Sequence, residues 1–294
     1  MKPKARRTPG GPRTRNPWND LNTDLFESPF GRILQFILIP ILSVGLVFTI
    51  MSLFYGSATG FFVGLTALGV STGLLKVIQK VIVRDRKASQ AERDAEAEQI
   101  VHEISAGGNW RKYFLYLRPF ETTGQMNVIV SQLTGGYGEK KAMDFETLLR
   151  KALEPWGPFI GLGTPGEHLG AGRAPVEDSR WQARVRRLIK NADTVFIIPG
   201  GTAGTLWEFR HLFKSDYLRR TVVVMPPKAL DLDIGTLWSE AQSALTPTGV
   251  KLPEYSARGA FILLSNDGRP ERTSRMPKSL NESELRDALR ELIR

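Results

Sequence analysis

The sequence predicts an α/β protein carried on a transmembrane helical hairpin, and three features predict it. Two apolar stretches, residues 33–55 and 61–83, stand nearly back to back and have the length that a hydrocarbon layer of about 30 Å demands. From Trp110 onward, short apolar runs alternate with amphipathic helical patterns, which is how a mostly parallel sheet flanked by helices is encoded. One run, TVFII at residues 194–198, is stopped by Pro199-Gly200-Gly201 and passes at once into a helical pattern. Strand, glycine turn and helix start in that order direct backbone N–H groups at an anion.

The chain has 294 residues, a formal net charge of +10 and no cysteine. The last point excludes disulfides, thiolate nucleophiles and cysteine-ligated zinc. Lys2, Lys4, Arg6, Arg7, Arg13 and Arg15 form a basic arm before the first apolar stretch, and Lys76, Lys80, Arg84, Arg86 and Lys87 a second cluster at the end of the second. Charge placed on both flanks points to a lipid bilayer as partner rather than nucleic acid. It equally serves as a topology signal, placing both termini in the cytoplasm and the protein in the cell (inner) membrane as a multi-pass protein.

Residues 1–31, rich in Arg, Pro, Gly and Asn, read as a disordered basic cytoplasmic tail. Residues 32–83 are expected to form the hairpin, with Pro40 tolerated as a kink and the GSATG segment at 56–60 as the turn. Lys76 and Lys80 sit near the end of the second span, where long basic side chains reach the headgroups. Gly60/Gly64 and Gly69/Gly73 have small-xxx-small spacing, suited to close packing within the hairpin or to a homo-oligomer. Residues 84–107 are Ala-, Glu- and Arg-rich and predict a polar helical stalk ended by Gly107-Gly108.

Residues 108–294 are expected to form a cytosolic flavodoxin/Rossmann-like domain. Strands are predicted at 113–117, 159–162, 194–198, 221–225 and 260–264. Residues 121–143, with Gly135-Gly136-Tyr137-Gly138, read as a long irregular insertion. Asp144 caps a helix carrying Phe145, Leu148, Leu149 and Leu153, and Pro155 stops it. Asp178 or Ser179 starts the next helix, through Trp181, Val185, Leu188 and Ile189. Its Arg180, Arg184, Arg186, Arg187 and Lys190 make a solvated or membrane-facing side. Residues 230–245 predict a further helix, and Asn281 with Glu284 a capping box for a terminal helix bearing Leu285, Leu289 and Leu292.

Ligands of such a sheet collect beyond the carboxyl ends of its strands, where Arg118, the 161–173 loop and the 200–205 turn are expected. Gly200, Gly201, Gly204 and Thr205, the last as N-cap, are the predicted phosphate cradle, with Arg118 or Arg173 neutralising the charge. The GLGTPGEHLGAGR segment at 161–173 contains a formal GxGxxG, but it does not open into a helix and is not read as a dinucleotide fingerprint. Gly163 and Arg173 are placed instead on a flexible loop bordering the site. Glu208 is expected in the first helical turn, accepting hydrogen bonds from a sugar or offsetting the helix dipole. Beside Trp207, which is either a ligand-lining or a core aromatic, its pKa would rise by desolvation. His102, His168 and His211 lack metal-ligand spacing, and no metal is expected. The GVSTG string at residues 69–73 lies inside the second apolar stretch rather than on a strand-to-helix turn, so no GxSxG elbow is read, and no GxxxxGK[ST] loop is present.

The strand and helix order, with Trp207-Glu208 after the 194–198 strand, resembles TIR-type domains and their nucleoside deoxyribosyltransferase-like relatives. In those families a glutamate at this position handles the ribose of NAD or a nucleoside. Separately, PGGTAGTLWE resembles the PGGxGTxxE signature of LOG-type phosphoribohydrolases, with one extra residue between Gly201 and Gly204. A membrane hairpin followed by YLRPFE, GLGTPGE and the Trp-Glu turn also resembles a group of bacterial two-pass membrane proteins of unassigned function. The resemblances imply a membrane-anchored sensor or signalling domain that binds NAD or another nucleotide. The alternative they imply is a hydrolase or transferase of N-glycosidic bonds with Glu208 as the catalytic acid, the nucleotide then being substrate. A noncatalytic membrane scaffold is the third reading.

Overall fold

The computed structural model describes residues 43–293, apart from 53, 57, 123, 135, 136, 177–179, 215 and 216. It divides into two compact units, Met1–Val83 and Arg84–Arg294.

In the first unit, residues 43–52 are helical and helix α1 (Ala58–Ala106) starts just after a turn in which Gly56 has φ +64°. The predicted tail and the first part of the first apolar stretch, Pro40 included, lie outside the described residues. At Gly64 the two helices leave no room for a side chain: a Cβ there would run into Thr49 Oγ1 and lie 2.8 Å from Thr49 N. Gly69 and Gly73, by contrast, have nothing within 4 Å of a hypothetical Cβ. The close approach therefore belongs to Gly64, inside the hairpin. Among the described residues, no helix is long and apolar enough to cross a membrane.

The second unit is an α/β domain. Its strands are β1 (Phe114–Leu117), β2 (Asn127–Thr134), β3 (Tyr137–Asp144), β4 (Phe159–Leu162), β5 (Gly172–Ala174), β6 (Thr194–Ile197), β7 (Thr221–Met225), β8 (Ala260–Leu264) and β9 (Pro270–Arg275). Besides α1, its helices are α2 (Phe145–Leu153), α3 (Trp181–Asn191), α4 (Ala203–Lys214), α5 (Ile234–Leu245) and α6 (Glu282–Arg290). The main sheet has the order β5-β4-β1-β6-β7-β8-β9, parallel from β5 to β7, with β8 and β9 added antiparallel.

Period-two alternation in the buried strands divides the core in two. Leu115 and Leu117 of β1 face a layer with Ala97, Ile100 and Ile104 of α1, Val185 and Leu188 of α3, and Phe209 and Leu212 of α4. Phe114 and Tyr116 face the opposite layer, with Leu148 and Leu149 of α2 and Leu285 and Leu289 of α6. Each such side chain contributes about 1.5–3 kcal/mol on burial.

Several sequence expectations are corrected here. The stalk is no spacer, because its few apolar residues, at helical spacing, are buried in the α/β core. The irregular insertion is a hairpin: β2 and β3 pair antiparallel from Asn127↔Asp144 to Thr134↔Tyr137. Val128 and Val130 are buried while Ile129 is exposed, a strand alternation that the surrounding glycines obscured. β5 and β9 were not anticipated, being short or wholly polar on an edge. Helix α3 starts at Trp181, with no side-chain cap from Arg180; residues 178 and 179 lie outside the described residues. Asp144 and Asn281 cap α2 and α6 as predicted, accepting from Thr147 N at 3.1 Å and Glu284 N at 2.9 Å.

Gly64→Val is expected to lower the melting temperature of the full-length protein in detergent by several degrees, from about 1–3 kcal/mol of overpacking. Gly69→Val should leave it nearly unchanged. Equal melting of the two variants would contradict the close approach.

Candidate functional site

The chain leaves β1 toward β4 on one side and reaches β6 on the other, so the ends of β1 and β6 open a crevice between diverging connections. Pro119 follows β1 and Ile198 to Thr202 follow β6. Together with Thr122, Met126 and Pro226, they border a cleft of about 1290 Å³ whose far wall is the start of α5. That wall carries Asp233, Ile234, Gly235, Thr236 and Glu240, none of them anticipated as site residues. The signal available in the sequence was the cap: Asp233 accepts from Thr236 N at 3.2 Å and from Thr236 Oγ1 at 2.8 Å. These bonds hold its carboxyl below the usual range, so Asp233 is engaged as a cap.

The glycines divide by role. Gly200 is required by packing, since a Cβ would strike Pro119 Cγ. Gly201 is not: a Cβ there would meet only Glu240 Cβ at 3.9 Å, and its φ is not positive. A glycine that the protein's own packing does not need leaves the backbone of the turn open to the cleft. Gly204 also has room, but toward Trp181 at 4.0 Å, and it does not border the cleft.

Helix α4 begins at Ala203, not after Thr205. Its cap is Thr202, whose Oγ1 lies 2.9 Å from Thr205 Oγ1 and accepts from Thr205 N at 3.4 Å, while its carbonyl accepts from Leu206 N. Two consequences correct the sequence reading. Thr205 is a buried helical residue, and Glu208 falls in the second turn rather than the first.

Glu208 does not line the large cleft. It points into a separate cavity of about 10 Å³ bounded by Tyr116, Leu117, Arg118, Phe120, Leu162 and Arg173, room for a single water. The residue is 5% exposed, and its Oε2 has no hydrogen-bond partner among the described residues. Burial pushes its pKa up to about 8, against the opposing pull of Arg118. Desolvation was foreseen, but from Trp207; the wall of the cavity is β1, β4 and Arg173 instead.

Trp207 lies on the α3–α4 contact. Its ring meets Trp181 edge-on at 4.8 Å, stacks on His211 at 5.6 Å and carries the Arg186 guanidinium at 5.6 Å. It is half-buried and packs against the core from the α3–α4 side.

Arg118 and Arg173 are drawn together by a residue the sequence gave no reason to single out, Glu146 in the first turn of α2. Arg118 Nε lies 3.0 Å from Glu146 Oε2, and Arg173 Nη2 lies 2.8 Å from Oε1. Ala171 N also donates to Oε1, at 2.9 Å. Burial works to raise the Glu146 pKa, but Arg173, Arg118, His168 and the Ala171 N–H together hold it below the usual range. Arg173 is fully buried, with Glu167 Oε1 3.5 Å from its Nε. It is therefore not on a flexible loop reaching for phosphate. Gly163 serves this cluster too: a Cβ would collide with Glu167 Oε1 and lie 3.2 Å from Arg173 Cδ.

Comparison with family models, curated proteins and solved structures finds no match to this chain. The site is thus read from its geometry. It consists of an open cleft bordered by two helix starts and a separate cluster of two guanidiniums, the carboxylates of Glu146 and Glu167, and the buried carboxyl of Glu208.

A carboxyl whose folded pKa is raised binds a proton that the unfolded chain has lost, so Glu208 withdraws stability as pH climbs from about 4.5 to about 8. Glu208→Gln should therefore gain in melting temperature over the parent at pH 8 and lose that advantage at pH 5. A difference independent of pH would contradict an ionisable, desolvated Glu208.

Proposed function

We propose that the chain is a membrane-anchored nucleotide-binding sensor, with the phosphate on the Gly200 to Gly204 backbone and the remainder of the nucleotide lying across the cleft toward α5. The observation that carries this reading is the arrangement of the large cleft. The starts of α4 and α5 border one cavity beyond the ends of β1, β6 and β7. Helix starts offer N–H groups without intrahelical partners, and the positive end of the helix favours an anion. The order β4-β1-β6-β7 of the parallel strands is that of flavodoxin-like sheets and supports the TIR-like or deoxyribosyltransferase-like resemblance at the level of fold. NAD and nucleoside monophosphates are the ligands that resemblance implies.

Anchoring in a bilayer is supported by the helices of the first unit. Val47, Phe48, Phe54, Phe62, Val63 and Val70 are all more than half exposed, a concentration of apolar surface that water disfavours and lipid accepts. The basic residues at its flanks favour cytoplasmic ends. A homo-oligomer, if formed in the bilayer, would use the open Gly69/Gly73 face rather than Gly64.

The second reading, cleavage of an N-glycosidic bond by Glu208, is favoured by one observation: the acid is buried, proton-holding near neutrality and has an unpartnered Oε2. It requires the Phe120–Thr122 turn to move so that a sugar reaches the acid. The binding reading requires no such movement.

Full-length protein titrated with NAD, AMP and ATP by calorimetry should show saturable binding to at least one of them. Gly201→Val should weaken it at least about tenfold by occupying the turn, while Glu208→Gln binds as the parent does. Absence of binding would overturn the sensor reading, and turnover lost in Glu208→Gln would replace it with the enzymatic one.

A further inference from the structure

Helix α1 reaches the candidate site through two buried polar side chains. Asp94 Oδ1 accepts from Arg173 N at 2.7 Å, and Oδ2 from Gly166 N at 2.8 Å. Gln90 Oε1 accepts from Gly170 N at 3.1 Å, while its Nε2 donates to Ala171 O at 3.0 Å and to Asp94 Oδ1 at 2.7 Å. Both residues are more than nine-tenths buried. Gly172 lets the helix backbone come this close, because a Cβ there would strike Arg93 O and lie 3.2 Å from Ala97 Cβ. The edge of the sheet at β5 is thus satisfied by side chains of α1 instead of by another strand.

What these bonds hold is the segment that presents Arg173 and Ala171 to Glu146. Glu146 in turn holds Arg118, and Pro119 next to it abuts Gly200 at the edge of the cleft. The last step, Pro119 on Gly200, is a tight steric contact; the hydrogen bonds and ion pairs before it are directional, unlike apolar packing that can slide. Losing any of them leaves a backbone donor or a charge without its partner in a low-dielectric interior.

We propose that α1 regulates the cleft through Gln90 and Asp94, so that a rotation or shift of this helix is transmitted by the 166–173 segment and Glu146 to Arg118 and the Gly200 turn. Gln90 and Asp94 belong to the same continuous helix as the apolar residues 61–83. A turn of α1 about its axis at Gln90 and Asp94 would change the grip on Arg173, and by reciprocity a ligand that tightens the Gly200 turn would bias the helix. That this regulates nucleotide binding rests on the reading of the cleft given above. The mechanical coupling itself does not.

Hydrogen exchange on the full-length protein separates the two. Asp94→Asn keeps the side-chain volume but turns a donor toward a donor at Gly166 or Arg173. It should speed exchange about tenfold at Gly166, Gly170 and Arg173, and also at Ile198 and Leu206, whose amides bond to Leu117 O and Thr202 O on either side of the turn. Gln90→Ala should do the same, and Glu98→Ala on the exposed side of α1 should do neither. Faster exchange confined to 166–173, no change, or a uniform rise that includes β7 amides would each overturn the proposal. Nucleotide titration of the same samples reads the other claim: a parent protein that binds no nucleotide yet shows the coupled exchange would sink the cleft assignment and leave the relay standing.

Discussion

A single carboxylate, Glu146, lies between two buried guanidiniums, and the polar cluster beyond the end of β1 is built around it. Charges of this kind are tolerated inside a protein only when each has its partner and its hydrogen bonds. Glu146 has Arg118 on one oxygen, Arg173 and the Ala171 N–H on the other, and it is 1% exposed. The surrounding glycines follow from that demand. Gly170 leaves space for the Glu146 carboxyl, Gly161 for the Arg173 guanidinium, and Gly163 for Glu167.

The charge balance of the cluster gives Glu208 its character. Two guanidiniums face Glu146, with Glu167 at the exposed edge, and Glu208 lies nearby with no hydrogen-bond partner for Oε2 among the described residues. Ionised, it would be drawn to Arg118, yet the loss of solvent outweighs that attraction and the proton stays on. A neutral acid beside a charge-balanced cluster, in a cavity with room for one water, is a structural arrangement first. It becomes a catalytic one only if the segment after β1 opens.

Much of the fold was legible in the chain because buried parallel strands are written as short runs of β-branched and aromatic residues. β4, β7 and β8 fall where those runs are, and α2 and α6 start at the predicted caps. What was hidden depended on partners distant in sequence. Arg118 and Arg173 were recognised as site residues from their places at strand ends, but an arginine does not announce whether it will meet a phosphate or a glutamate. Nothing in the sequence singles out Glu146, one of several polar residues in an amphipathic helix. Gln90 and Asp94 looked like the polar surface of a stalk, and only the β5 edge, itself three residues long, explains why they are buried. The glycine turn showed the opposite error. Thr205 and Glu208 were each assigned relative to a helix start placed too late, and a three-residue shift moved the acid from the cleft into the interior.

The measurement that tests the role of Glu146 most directly is the unfolding free energy of Glu146→Gln. The substitution preserves shape and removes the charge shared by Arg118 and Arg173. A loss of about 3–5 kcal/mol, the cost of stranding buried charge, is predicted, together with loss of order at Arg118 and the Gly200 turn. A variant that melts like the parent and keeps that turn in place would contradict the account.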